Sequence, residues 1–302
     1  MARKRKGMPV HGWLIVDKPG GVTSSTVVNK LRWLLNAQKA GHAGTLDPDA
    51  TGLLAVAFGE ATKTIPYLTD APKTYAFTVV FGAATNSDDA SGEVIARCAH
   101  RPTERDIIDA LPQFRGAIRQ VPPQVSAVKV EGARAYDLAR EGEVVELAAR
   151  DLFVSELALE AWDGAVATLR MTCGKGGYVR SIARDLGEVL GTHAHVGWLR
   201  RTASGPFDVA DAIKFSDWAE AERDAATGLL AKLLPAHAAL SDFPETILGD
   251  QGASRVSHGN HAQADQTSAA DGDITCAFHN GRLLAIGEYH AGIFTPTRVL
   301  HQ

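Results

Sequence analysis

The feature that most limits the fold is an apolar run, Leu53 to Phe58, entered through a stretch, Gly41 to Gly52, rich in Gly, Thr, Asp and Pro. An unbroken apolar run bounded by turn-forming residues reads as a buried strand, and the stretch before it as an ordered loop leading into that strand. Other segments supply the rest of a sheet. Residues 12 to 17 (GWLIVD) read as a buried strand ended by the turn Lys18-Pro19-Gly20-Gly21. Thr74 to Phe81 is aromatic and β-branched, and 125 to 130, 152 to 161, 165 to 173 and His195 to Arg201 also read as strands. Thr85 to Gly92 is polar enough to be a loop.

Helical periodicity appears at Val27, Val28, Leu31, Leu34 and Leu35, behind a cap supplied by Thr23, Ser24 or Ser25. Thr103 with Asp106 forms a capping box, a short helical stretch lies near Ala135 to Arg140, and Tyr178 to Leu190 turns Ile182, Leu186, Val189 and Leu190 to one side. The irregular order of strands and helices predicts an α+β fold around a large mixed, mainly antiparallel sheet. Past a boundary near residue 240, residues 257 to 273 read as a long or mobile loop, and 274 to 300 as strands with a hairpin turn at His279 to Gly281. The expected organisation is a flexible basic arm (1–10), a main domain (11–240) and a small C-terminal β module (241–302).

The 302 residues, 45% of them hydrophobic, suffice for a full core. Cys98, Cys173 and Cys276 are widely spaced and form no CxxC pair, so neither a disulfide framework nor a thiolate zinc site is expected and a reducing cytoplasm fits. No apolar run approaches the roughly 18 residues of a membrane helix, which argues against a membrane protein. The net charge of −4 hides an asymmetry: residues 1–202 carry 25 Lys and Arg against 22 Asp and Glu, residues 203–302 only 6 against 13. A polyanion would therefore meet the N-terminal two-thirds, where Arg3, Lys4, Arg5 and Lys6 form a basic arm and Lys18, Lys63, Lys73, Lys129, Arg200 and Arg201 are candidate phosphate contacts or plain solvated cations.

Chemistry concentrates in Gly41-His42-Ala43-Gly44-Thr45-Leu46-Asp47-Pro48-Asp49-Ala50-Thr51-Gly52. Glycines allow close backbone approach to a ligand, and Pro48 restricts Asp47 to extended conformations, so its carboxylate can be aimed. An isolated Asp-Pro pair more often just makes a turn. This segment, however, resembles the signature loop of the TruB family of tRNA pseudouridine synthases. LIVDKPGGVTSS, KTYAFTVVFG, SAVKVEGARAYDLAR and CGKGGYVRSIARDLGEVLGTHAHVGWLRRT resemble further family blocks in the same order, covering nearly all of residues 12 to 207.

The resemblance implies a pseudouridine-synthase catalytic domain followed by a short PUA-like module, with tRNA (the T-arm stem-loop) as partner. It implies conversion of uridine to pseudouridine at T-loop position 55, with no cofactor, no metal and no obligate protein partner; the chain is expected to be a monomer. Asp47 becomes the nucleophile and Arg180 the cation paired with it. Tyr75 lies flat against the base and assists proton removal, and Tyr178 and Leu199 line the uracil pocket. Asp89 contacts the substrate backbone or a cation of the site, and His42 fills the place of the flipped uridine. Each has an ordinary alternative: Tyr75 and Leu199 as core, Arg180 as a surface ion pair, His42 as a loop histidine. Asn86 and Gly177 depart from the family pattern, at positions that usually hold an acidic residue and a threonine. Two other readings stay open here. One is a tRNA-binding or tRNA-folding protein without turnover. The other takes Asp47, Asp49, Asp88 and Asp89 as metal ligands of a transferase, with His193 and His195 as a weak zinc signal. The first covalent step, at C6 of uracil, at C1′ of ribose or through a glycal, is not decided by these residues.

Overall fold

The computed structural model of the chain describes residues 7–126, 129–130, 133–134, 147–223 and 226–301. The expected helix at 135–140, the end of the expected arm (Arg3 to Lys6) and residues 127–128 of an expected strand lie outside these. The described residues divide into two compact units: residues 7–48, 53–69 and 205–301 form the first, residues 49–52 and 70–204 the second.

The first unit begins with strand β1 (Gly12–Lys18), helix α1 (Ser24–Leu34), strand β2 (Ala40–Ala43), strand β3 (Thr51–Phe58, of which Thr51 and Gly52 belong to the second unit) and helix α2 (Ile65–Asp70). Thr23 caps α1 by accepting from the Thr26 N–H, and the expected stripe is buried at all five positions. β2 runs antiparallel to β3, pairing His42 with Val56. The segment read as one loop from Gly41 to Gly52 is therefore a loop only over 44–50. Its ends are strand because the small residues of AGHA can lie against the apolar β3.

The second unit contains β4 (Lys73–Phe81), β5 (Ala83–Thr85), β6 (Val94–Arg97), α3 (Glu104–Ala110), β7 (Gly116–Gln120), the short pair β8 (Lys129–Val130) and β9 (Ala133–Arg134), β10 (Arg150–Trp162), β11 (Val166–Cys173), α4 (Val179–Val189) and β12 (Ala194–Ser204). Its strands run in the order β12-β4-β11-β10-β7, all antiparallel, while Thr51 and Gly52 pair parallel to Arg200 and Arg201. The sheet is thus mixed and mainly antiparallel, and the fold class is α+β as expected. Helices α3 and α4 cover one face over a core that includes Phe77, Phe81, Leu169, Met171, Ile182 and Leu186. The capping box of Thr103 and Asp106 forms. Val189, expected on the buried side of α4, is exposed because the helix ends there. Val125 and Ser126, expected to begin a strand, lie in a bend, and β7 was not foreseen.

The chain returns to the first unit through β13 (Phe207–Asp208), β14 (Ile213–Lys214, parallel to β1), α5 (Ser216–Ala219) and α6 (Ala226–Leu230). A six-stranded sheet follows, from β15 (Glu245–Ile247), α7 (Asp250–Ser257), β16 (Ala262–Gln263), β17 (Gln266–Thr267), β18 (Ile274–His279), β19 (Arg282–His290) and β20 (Ile293–Val299). Asn280 and Gly281, both at positive φ, close the β18–β19 hairpin. The expected long loop at 257–273 instead holds β16 and β17, whose two residues each show no period in the sequence. Cys98, Cys173 and Cys276 are free thiols.

Candidate active site

Asp47 sits in the 44–50 loop between two neighbours locked by side chains. Ser24, buried in the first turn of α1, both accepts from the Leu46 N–H and donates to the Leu46 carbonyl, each at 3.0 Å. On the other side, the Pro48 carbonyl accepts from the Lys18 ammonium at 2.8 Å and from the Gly21 N–H at 3.0 Å. Lys18 is 0% exposed and also donates to the carbonyls of Pro19 and Val22. A buried ammonium is tolerated when its three protons meet acceptors. These bonds fix the backbone on both sides of the half-buried Asp47. His42 projects from β2, half-buried, rather than from the loop.

In the second unit, Tyr75 on β4 lies opposite Met171 on β11 and Arg201 on β12, and Tyr75 and Leu199 both pack against the core while staying partly exposed. The Arg201 guanidinium, 1% exposed, hydrogen-bonds the Tyr75 side chain; burial pulls its pKa down, and Tyr75 opposes this. Gly52 must be glycine here: its φ is +98°, and a Cβ would stand 2.2 Å from the Arg201 carbonyl oxygen. Tyr178 caps the start of α4 with its backbone held by Gln120, which donates to its carbonyl at 3.0 Å and accepts from its N–H at 2.8 Å.

Arg180 occupies the first turn of α4 and is 6% exposed. A cation at a helix N-terminus faces the positive end of the helix dipole and also loses hydration, so it requires acceptors. It donates to the Ser87 carbonyl at 3.0 Å and lies 3.7 Å from the Asp89 carboxylate. Asp89 in turn accepts from Ser87 Oγ (2.7 Å), Ser91 Oγ (2.6 Å) and the Ser91 N–H (3.0 Å). The 86–92 loop is fastened to β12 by Ala90 N–H to Val196 carbonyl and Val196 N–H to Asp88 carbonyl. Asp88, at φ +61°, pairs with Arg184 at 3.0 Å, one turn beyond Arg180; burial pushes its carboxyl pKa up despite Arg184.

Tyr75, Asp89, Tyr178, Arg180 and Leu199 thus all belong to the second unit, with Asp89 and Arg180 in contact, whereas Asp47 and His42 belong to the first. Several expected phosphate contacts are corrected. Lys18, Lys73 and Arg201 are buried, and Lys63 bonds Glu60 and the Val299 carbonyl. Lys73 donates to the Ala71 carbonyl, and burial together with nearby Arg201 brings its pKa to about 8. His195 is also buried, its Nδ1 against the Ala83 carbonyl. Among the described residues no group of three or more His, Cys, Asp or Glu is arranged to hold a metal, and no helix is long and apolar enough to cross a membrane. Gln120 and Arg184 were missed in the sequence, where a single polar residue at a strand end and an arginine within a helix give no signal.

Residues 32–179 match the model of the TruB family pseudouridylate synthase N-terminal domain, and residues 180–241 that of the tRNA pseudouridylate synthase B C-terminal domain. The chain belongs to the TruB family. Proteins called tRNA pseudouridine synthase B are 56% identical in Cereibacter sphaeroides, over 100% of both chains, and 57% identical in Paracoccus denitrificans, over 100% of this chain and 99% of the relative. The same fold occurs in an H/ACA RNP bound to a substrate RNA containing 2′-deoxyuridine, at 23% identity and a TM-score of 0.76, covering 100% of this chain and 92% of the other. A Cbf5-Nop10-Gar1 complex contains a chain 28% identical, with a TM-score of 0.72, covering 92% and 78%. Within the TruB match, the first model contains His42, Asp47, Tyr75, Asp89 and Tyr178, and the second contains Arg180 and Leu199.

Proposed function

We propose that this chain isomerises uridine to pseudouridine at T-loop position 55 of tRNA, with Asp47 as the catalytic carboxylate. The observation that carries this reading is the Asp47 loop: Ser24 and Lys18 lock Leu46 and Pro48, an expenditure of buried polar groups that a solvent turn does not require. The full-length similarity to proteins called tRNA pseudouridine synthase B supports the substrate.

The reaction breaks the C1′–N1 bond, turns the uracil and joins C1′ to C5; C5 loses a proton and N1 gains one, so no oxidant or energy source is consumed. The Asp47 carboxylate supplies the oxygen nucleophile. Arg180 orients it, itself held by the Ser87 carbonyl and Asp89. Tyr178 and Leu199 wall the uracil, and Tyr75 lies against it, its hydroxyl steadied by Arg201. The uridine is flipped out of the T-arm at a cost of about a few kcal/mol, and His42 fills the gap. In this reading the chain works as a cytoplasmic monomer without a protein partner or cofactor. Its parts are an arm (1–10), a catalytic domain (11–240) and a PUA-like module (241–302).

The test is pseudouridine formation in a T-arm stem-loop, in chelator, by the native protein and Asp47→Asn, with paired binding curves. Product from the native protein alone, with equal binding by both, is expected. Binding by both without product from either would replace the reading with a tRNA-folding role, and turnover that needs divalent metal would contradict it.

A further inference from the structure

We infer that Gln120, at the end of β7, is a positioning residue that sets the start of α4 and thereby the places of Tyr178 and Arg180. This inference rests on the proposed synthase reading for its effect on turnover. Gln120 is 3% exposed, and both ends of its carboxamide are used on one residue, accepting from the Tyr178 N–H at 2.8 Å and donating to the Tyr178 carbonyl at 3.0 Å. Tyr178 is the cap of α4, but its side chain makes no capping bond, and its carbonyl also accepts the first helical bond, from the Ile182 N–H. The long-range carboxamide therefore takes the place of a local cap.

The next residue continues the attachment. The Val121 carbonyl accepts from Ser181 Oγ at 2.7 Å and from Arg184 Nη2 at 2.9 Å. Residues 178, 181 and 184 recur every three positions and share one flank of the helix, so the whole flank is fastened to Gln120 and Val121. From the same helix, Arg180 and Arg184 reach Ser87 and Asp88 in the 86–92 loop. The first turn of α4 is thereby fixed in rotation as well as along its axis. A shift of about 1 Å in a positioned group can cost on the order of a hundredfold in rate, and Arg180 has only its first-turn backbone between its guanidinium and this clamp.

The test compares Gln120→Met and Gln120→Glu with the native protein, using hydrogen exchange of the peptide covering 178–189 and steady-state kinetics on a T-arm stem-loop. Met matches the volume and removes both bonds. It should speed exchange of the first turn and lower kcat by at least about tenfold, while KM stays within about twofold. Ionised Glu accepts from the Tyr178 N–H but repels its carbonyl; protonated Glu restores both bonds. Activity of Gln120→Glu relative to native should therefore recover as pH falls from about 8 to about 6, because burial raises a carboxyl pKa.

The charged groups on the packed elements are Arg119 on β7, Arg150, Asp151, Glu156 and Glu160 on β10, Arg180, Arg184, Asp185 and Glu188 on α4, and Asp88 and Asp89 in the loop. All are common to both proteins, so the ratio isolates residue 120. Unchanged exchange and kcat in Gln120→Met, or a Gln120→Glu defect independent of pH, would overturn the inference. If the native protein makes no pseudouridine, the synthase reading falls, and the exchange data still decide whether Gln120 holds the helix.

Discussion

The loop around Asp47 and the loop around Asp89 both present aspartates, but the bonds that hold them run in opposite directions. In the first, Ser24 and Lys18 grip the backbone of Leu46 and Pro48, the residues flanking Asp47. In the second, the Asp89 carboxylate itself is the anchor, taking three hydrogen bonds from Ser87 and Ser91 and facing Arg180. A carboxylate that shapes its own loop has most of its acceptor capacity committed. The position of Asp47 is set by bonds to the backbone of its neighbours, and in the proposed reading this aims its carboxylate at the uridine while Asp89 supports Arg180.

The largest effect on the Asp47 loop is expected from Lys18→Met. Three carbonyls would lose a buried donor, each worth about 1–3 kcal/mol when left unsatisfied. We expect a loss of roughly 3–5 kcal/mol in urea unfolding, with turnover falling further than stability accounts for because Pro48 keeps only its bond from the Gly21 N–H. Stability within about 1 kcal/mol of native would show that the loop does not depend on this cation.

Asp89→Asn should be milder. The amide oxygen can still accept from Ser91, but the charge opposite Arg180 is gone, so kcat should drop about tenfold with T-arm affinity unchanged. An equal loss in affinity would mean that Asp89 contacts the RNA in addition to facing Arg180.

The smallest effect is expected at Asp88→Asn, within about 1 kcal/mol of native, because the Arg184 pair does not offset the burial of the Asp88 carboxyl and Asn tolerates its left-handed backbone. The sign with pH is specific. The folded-state pKa of Asp88 is raised, so between the unfolded and folded values the native state binds the extra proton. Native protein should therefore gain stability relative to Asp88→Asn as pH falls through the raised pKa, measured by unfolding midpoints. A gain on raising the pH instead would show that the ion pair dominates.

Much of the architecture was legible because periodicity and capping are local. The α1 stripe, the capping box at Thr103 and the β18–β19 turn follow from residues a few positions apart. β7 was not, since Gly-Ala-Ile-Arg-Gln is a short strand paired with β10 and carries little alternation. β16 and β17 were hidden because two residues have no period. Within the site, the motif residues were found by resemblance, while the groups that hold them were not. Lys18 and Arg201 look like any surface cation in a sequence, and only the fold reveals carbonyls around one and Tyr75 beside the other.

If the Asp47 carboxylate reacts from a position fixed by its neighbours, Asp47→Glu must displace it from the reacting uridine. Single-turnover pseudouridine formation would be measured on a T-arm stem-loop, with binding and unfolding curves alongside. The charge is kept and only the reach changes by one methylene, so we expect a rate loss of at least about a hundredfold with folding and affinity intact. A rate within about tenfold of native would contradict an aimed carboxylate.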